Sequence, residues 1–262
     1  MRRAARALVV LSLVGAAGCD LFTGPDLPSG AVRFEPPARY RVWWDMVQEC
    51  SGRTGDLRRV RWYQVPGAPT LVGPDQGIVN GQWYRDGNRI VLAGTAVLQG
   101  EVVRHEMLHA LVREPGHARE QFQARCGGIV DCGSACQDDG GGPPVVPTDA
   151  PRIPASALRF RMDVAGGGDF ARDSGAVAVV ITATNPNDHP VTAALRNGSV
   201  RMGVWGASAY VLNGRNQGSS LAFPAGWSRR WVFDLELWPG TYLLQGLFDG
   251  DEVGRTELRV AP

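Results

Sequence analysis

The pattern of apolar and polar positions divides the chain into a first half that mixes helix and strand signals and a second half that alternates. In residues 40–50 and 96–113 apolar side chains recur at helical spacing, which predicts two helices. Between them, residues 59–65, 78–84 and 88–92 have the composition of short strands. Asp86-Gly87 predicts a hairpin turn between the last two strands.

The second half has the period-two pattern of half-buried strands. Leu158, Phe160 and Met162, for example, interleave with Arg159 and Arg161. Several such runs lie roughly ten residues apart and are separated by Asn-Pro, Asn-Gly and Pro-Gly turns, which predicts an antiparallel Ig-like β-sandwich.

Changes in composition set the predicted boundaries. Residues 133–156 are rich in Gly, Pro and Asp and lack apolar periodicity, which indicates a linker. The predicted segments are a leader (1–18), a tether (19–37), a first domain (38–136), a linker (137–156) and a second domain (157–262).

Charge excludes several functions. The formal net charge is +1, so we expect no nucleic-acid partner, which would need a strongly cationic surface. All 27 basic residues are arginine, and this excludes chemistry that depends on lysine, such as a Schiff base.

The N-terminus predicts export. Arg2, Arg3 and Arg6 precede a short apolar run that is too short to span a bilayer as a helix. The run ends in Ala-Ala-Gly-Cys, which resembles the lipobox of bacterial lipoproteins. The resemblance implies lipidation of Cys19, and hence a protein anchored to a membrane of the bacterial cell envelope. The alternative is an ordinary signal peptide and a secreted or periplasmic protein.

Export also bears on the cysteines. Cys50, Cys126, Cys132 and Cys136 remain after Cys19, and an even number in an oxidising compartment predicts two disulfides. Three connectivities are open, of which we favour Cys50 with Cys126 and Cys132 with Cys136. The competing interpretation is a structural zinc site formed by Cys126, Cys132 and Cys136.

Three of the four histidines lie between positions 105 and 117. His105-Glu106-Met107-Leu108-His109 is an HExxH pattern on the second predicted helix. Histidines at i and i+4 lie on one side of a helix and can bind the same Zn²⁺ ion. Glu106 beside them can act as the general base that takes a proton from an attacking water.

The motif and its uncharged flanks resemble the consensus of zincin metallopeptidases. The metzincin position for a third histidine is occupied by Pro115, so that pattern fails. Gly116-His117, followed five residues later by Phe122, is similar to the third-ligand turn of SprT-like and WLM-type zincins. This resemblance implies that His117 is the third ligand, and Glu120 is the alternative.

The resemblance implies a fold class and a function. We expect an α+β zincin-like N-terminal domain, with a small sheet plus backing and active-site helices, followed by the all-β Ig-like sandwich. We expect a zinc-dependent hydrolase that cleaves a protein or peptide substrate, bound along residues 88–92 as an edge strand with Trp83 and Tyr84 beside it. The alternative is a binding or adhesion lipoprotein with an inactive zincin-like module.

Overall fold

A computed structural model describes residues 27–73, 76–130, 132, 145–165, 176–206, 209–214 and 216–262. The predicted leader and the predicted lipidation site Cys19 lie outside these residues. Among the described residues, no helix is long and apolar enough to cross a membrane.

Two α-helices and many short strands make up the described chain. The helices are α1 (Arg39–Ser51) and α2 (Gly100–Val112), and a π-helical turn follows at Glu120–Arg125. Single 3₁₀ turns lie at Leu57–Arg59, Gly94–Ala96 and Ala155–Ala157. The strands are β1 (Val32–Arg33), β2 (Arg61–Val65), β3 (Leu71–Val72), β4 (Ile78–Val79), β5 (Gly81–Tyr84), β6 (Arg89–Ala93), β7 (Arg152–Pro154), β8 (Arg159–Ala165), β9 (Ala176–Thr184), β10 (Val191–Ala194), β11 (Val200–Trp205), β12 (Tyr210–Asn213), β13 (Ser220–Phe223), β14 (Ser228–Glu236), β15 (Gly240–Phe248) and β16 (Asp251–Val260).

The first sheet has the strand order β1-β2-β6-β5. Ile90, Val91 and Leu92 of β6 are fully buried, which fits a strand paired on both sides. β2 pairs parallel to β6, whereas β5 pairs antiparallel to it through a tight turn. Gly87 and Asn88 complete that turn at positive φ, as the predicted Asp-Gly hairpin requires.

Helix α1 packs on the C-terminal half of the chain. Its buried aromatic side chains share one hydrophobic core with α2 and with Ala176, Ala178 and Val180 of β9. The two alanines are small enough to let the bulky face of α1 approach the sheet closely. The two halves of the chain are therefore joined by a common core.

The described C-terminal strands form three sheets around a second core. Their orders are β13-β10-β7, β12-β11-β15-β16 and β14-β9-β8. β7 pairs parallel to β10, although it lies in the segment predicted to be a linker.

The predicted fold class, an α+β zincin-like N-terminal domain followed by an all-β Ig-like sandwich, is wrong. The described residues are mostly β, with 42% strand against 20% helix in several small sheets, and they do not show a helical zincin-like N-terminal domain. The predicted separate N-terminal domain is absent from the described residues because α1 buries its aromatic face on β9, so the core of the first half includes residues of the second half. The C-terminal half divides its described strands among three sheets, where an Ig-like sandwich has two.

A polar contact also fastens α2 to the C-terminal half. Nη1 of Arg104, a residue whose side chain is 3% exposed, donates to both carboxylate oxygens of Asp234 at 3.0 Å. The Trp43 indole donates to the same carboxylate at 2.6 Å, and Arg104 Nε donates to the Ile129 carbonyl at 2.7 Å. Asp234 of β14 therefore fixes α1 and α2 together.

Replacing Asp234 with alanine should lower the free energy of unfolding by about 2–4 kcal/mol, because it leaves a buried guanidinium without its counter-charge. Asp45→Ala is the matched control, since Asp45 pairs with Arg41 on an exposed helix face and should contribute less than about 1 kcal/mol. Urea unfolding of both variants measures the difference. Equal losses would show that the Arg104–Asp234 pair does not anchor α2.

Candidate metal centre

Helix α2 presents His105 and His109 on one side. The predicted helix 96–113 begins late, at Gly100, because the 3₁₀ turn Gly94–Ala96 precedes it. A side chain at Gly100 would collide with the Asp234 carboxylate and Arg104, which explains a glycine in the first turn of this helix. The apolar residues Val103, Met107 and Leu108 are fully buried and fix the rotation of the helix. His105 and His109 therefore line a cleft between α2 and the strands β4 and β5.

His117 joins the pair from the segment after the helix. Nε2 of His105 lies 3.1 Å from Nε2 of His109 and 3.1 Å from Nε2 of His117. One ligand atom from each of the three residues lies within 4.8 Å of the others. Nitrogens that share a tetrahedral ion at about 2.0–2.1 Å are separated by about 3.3 Å, so the cluster fits a metal. The three histidines can hold a metal ion.

His109 is held in the tautomer that a ligand needs. Its Nδ1 lies 2.7 Å from the backbone carbonyl of Glu114, so Nδ1 carries the proton and donates it there. Nε2 is then left with a lone pair directed at the other two imidazoles. Burial lowers the pKa of His109 to about 4, so the ring is neutral at physiological pH. The sequence gives no sign of this contact, because the acceptor is a backbone carbonyl and does not depend on the identity of the residue at position 114.

The ring of Phe122 packs against all three histidines. It is buried on the π-helical turn, and its ring centroid lies 5.2, 4.7 and 5.0 Å from those of His105, His109 and His117. Its apolar ring excludes water from one side of the cluster and leaves the opposite side to the cleft.

A disulfide links the segment that contains Phe122 to α1. The predicted bond between Cys50 and Cys126 is confirmed, and it joins the end of α1 to the residue that follows the π-helical turn. Because Cys126 is used in this bond, the alternative zinc site formed by Cys126, Cys132 and Cys136 is wrong. Cys132 is also disulfide-bonded, but its predicted partner Cys136 lies outside the described residues.

Glu106 lies in the same cleft, pressed against β5. Its side chain is buried, and the backbone N–H of Trp83 donates to its carboxylate. Burial is the larger influence and raises the pKa of Glu106 to about 8. A Cβ at position 81 would lie 2.9 Å from Cγ of Glu106, so only glycine leaves room for this side chain. Sequence reasoning missed Gly81, since a glycine in a strand pattern does not reveal what approaches it.

The cleft that contains these groups has a volume of about 400 Å³. One wall is α2, and the other runs along β4 and β5 and includes Ile78, a residue that is 78% exposed. β5 is the terminal strand of its sheet. The expectation that residues 88–92 form the edge strand is therefore wrong, because β6 is paired on both sides. Trp83, expected beside that strand, lies instead on the edge strand itself and lines the cleft.

The other sequence-predicted ligand stands apart from the cluster. Glu120 forms an ion pair with Arg125 at 2.9 Å, and its side chain is 66% exposed. It is not one of the three residues whose ligand atoms converge. The fourth histidine, His189, pairs with Asp188 on an exposed turn of the C-terminal half.

The buried carboxyl group makes a prediction for the metal-free chain. A raised pKa means that the folded state favours the protonated form of Glu106, so its contribution to stability is present at low pH and is lost as the pH rises through about 8. The stability of the wild type relative to Glu106→Gln should therefore fall by up to about 4 kcal/mol between pH 4.5 and pH 9. Urea unfolding in the presence of a chelator measures this difference, in which the titration of other groups cancels. Parallel pH profiles would contradict the burial of an ionisable group at this position.

Comparison with known proteins does not identify a family. No family model and no curated protein matches the chain. The similar solved structures include an alkylpurine DNA glycosylase AlkC from Pseudomonas fluorescens bound to DNA containing an abasic site analogue (11% identity, TM-score 0.29, covering 40% of this chain and 31% of that one). They also include a β-glucosidase from Listeria innocua in complex with glucose (12% identity, TM-score 0.28, 40% and 16%) and the putative ApaA protein from Bordetella pertussis (15% identity, TM-score 0.24, 39% and 94%). The chain thus spans less than a third of the first two proteins, and at these TM-scores the likenesses carry no argument about function.

Proposed function

We propose that this chain is a zinc-dependent metallopeptidase in which His105, His109 and His117 bind the metal and Glu106 is the general base. The observation that carries the proposal is the convergence of three imidazole Nε2 atoms in one cleft with a buried carboxyl group. A purely structural metal site would have no use for that carboxyl. The resemblance of the HExxH motif to metallopeptidase sequences supports the same reaction.

Zinc is the metal that suits these ligands. Neutral imidazoles are nitrogen donors, which Mg²⁺ and Ca²⁺ disfavour relative to oxygen. His105, His109 and His117 would supply three protein ligands to zinc, the number that catalytic zinc sites use. When bound, zinc supplies a Lewis acid that polarises the substrate carbonyl and promotes the ionisation of water.

Glu106 carries the proton transfers. Its carboxylate accepts a proton from the water that attacks the carbonyl carbon and then donates it to the departing amine. The Trp83 N–H and the close contact with Gly81 hold the carboxylate in place during both steps. Burial raises the pKa of Glu106 in the metal-free chain towards neutral pH, the range that suits a group which both accepts and donates a proton.

The position of β5 supports an extended peptide as the substrate. A terminal strand offers backbone N–H and C=O groups that can pair with a peptide in β conformation, and on β5 these exclude the Trp83 N–H, which donates to Glu106. β5 also lies directly over Glu106, so a peptide on its edge passes the cluster. Ile78 adds an exposed apolar surface for one substrate side chain. In this proposal the protein works outside the cytoplasm, anchored through lipidated Cys19.

Removal of the metal tests the proposal. We expect the purified chain to hydrolyse an unfolded protein such as reduced, alkylated lactalbumin, to lose that activity in a chelator, and to regain it with one equivalent of Zn²⁺. The measurement is the release of new amino groups. Activity that survives complete removal of the metal would contradict the proposal.

A further inference from the structure

A second groove lies between the C-terminal end of α1, the π-helical turn and the sheet β14-β9-β8. Its volume is about 820 Å³, and Cys50, Ala124 and Arg125 line one side of it. Its other side is the part of the sheet face that α1 leaves uncovered. None of the residues assigned to the metal centre lines it.

Strand register places a polar row across this uncovered face. Arg161 of β8 and Arg230 of β14 both pair with Thr182 of the central strand β9. In the next row, Arg159 and Ser228 flank Thr184. Rows two residues apart share one face of a sheet, so these side chains point the same way as Val180, which is buried in the core that contains α1. The sheet face therefore changes from apolar under α1 to hydroxyl and guanidinium groups in the groove.

Positive charge is in excess in the groove. Arg159, Arg161 and Arg230 line it, together with Arg125, whose charge is paired with Glu120, against the two acidic residues Glu49 and Asp163. Burial, and secondarily the charge of Arg161, lower the pKa of Arg230. Arg161 and Arg230 lie on either side of Thr182, so their positive charges repel each other. An anion bound between them would reduce this repulsion.

The guanidinium groups of Arg161 and Arg230 each have N–H donors that could bind an anion. Arg230 Nη1 donates to the Arg125 carbonyl at 2.9 Å, and Arg161 Nε donates to Asp163 at 2.5 Å. A guanidinium carries five N–H donors, so each of these arginines has others left to direct into the groove. Thr182 lies between them with a hydroxyl that can donate a further hydrogen bond.

We infer that this groove is a binding site for a phosphate group, held by Arg161, Thr182 and Arg230. Two guanidinium forks and a hydroxyl match the several oxygens and the double charge of a phosphate better than a single carboxylate. The groove is larger than one phosphate ion, so the natural ligand is a phosphate ester, either a small soluble molecule or a lipid headgroup. This inference is independent of the proposed peptidase function.

Titration of the full chain with inorganic phosphate tests the site, and backbone amide chemical shifts report where the ion binds. We expect saturable shifts at Arg161, Thr182 and Arg230 with a dissociation constant of about 1 mM or lower. Arg161→Gln and Arg230→Gln should each weaken binding at least about tenfold, because each removes charge-assisted hydrogen bonds. Arg229→Gln is the matched control, since it removes the same charge one residue away, where the side chain lies over Phe223 on the opposite face. It should leave the affinity unchanged.

Three results would overturn the inference: no amide chemical-shift changes, changes confined to α2, or equal weakening of phosphate binding by Arg229→Gln and Arg230→Gln.

A second experiment separates the two sources of phosphate, using Cys19→Ser so that no lipid anchor is attached. Co-sedimentation with phosphatidylglycerol vesicles that Arg161→Gln abolishes would assign the site to a lipid headgroup. Binding of phosphate without co-sedimentation would assign it to a soluble phosphate ester.

Discussion

Glu106→Gln is expected to reduce peptide hydrolysis by about 10²–10⁴-fold and to leave zinc binding intact. The amide has nearly the same shape as the carboxyl group, and its oxygen can still accept the hydrogen bond from the Trp83 N–H. It cannot accept a proton from water, so only the chemical step is lost. The measurement pairs steady-state hydrolysis with the zinc content of the same sample.

Glu257→Gln is the control for this variant. Glu257 is an exposed glutamate on β16 and does not line the cleft, so the substitution removes the same charge without altering the buried carboxyl. We expect its activity to equal that of the wild type. Full activity in Glu106→Gln would show that Glu106 is not the base, and zinc loss from it would contradict the expectation that Glu106 takes no part in binding the metal.

His117→Ala should lower the affinity for zinc by at least about 100-fold and abolish hydrolysis, because it removes one of three protein ligands. Its Nε2 atom lies 3.1 Å from that of His105, on a segment that follows α2. Competition with a chromogenic chelator measures the affinity, and circular dichroism checks that the fold is retained.

Glu120→Ala separates the two third-ligand assignments. Because Glu120 pairs with Arg125 on the surface, its loss should leave the affinity for zinc unchanged. Zinc loss from Glu120→Ala with retention in His117→Ala would reverse the assignment and require a rearrangement of the π-helical turn.

The local part of the candidate site could be predicted from the sequence. His105, Glu106 and His109 follow from the period of a helix, which sets their relative positions whatever the rest of the chain does. His117 was reached only through a family resemblance, because the path after Pro115 is set by contacts, not by a period. The pairing of Cys50 with Cys126 was one of three connectivities that the sequence left open.

The supporting contacts of the site could not be predicted in the same way. Gly81 and the Glu114 carbonyl act through backbone atoms, and Phe122 lies under the histidines only because a disulfide and a π-helical turn place it there. The fold class was wrong because the partner of α1 is distant in sequence. Amphipathic spacing predicts that a helix buries one face, but it does not specify that Ala176 and Ala178 form the opposing surface.

The central claim is that three histidines bind one zinc ion. X-ray absorption at the zinc edge of the zinc-loaded full chain tests it most directly. The account predicts one zinc per chain, with three imidazole nitrogens at about 2.0–2.1 Å and one further light-atom ligand. A sulfur scatterer at about 2.3 Å, or fewer than three imidazoles, would contradict it.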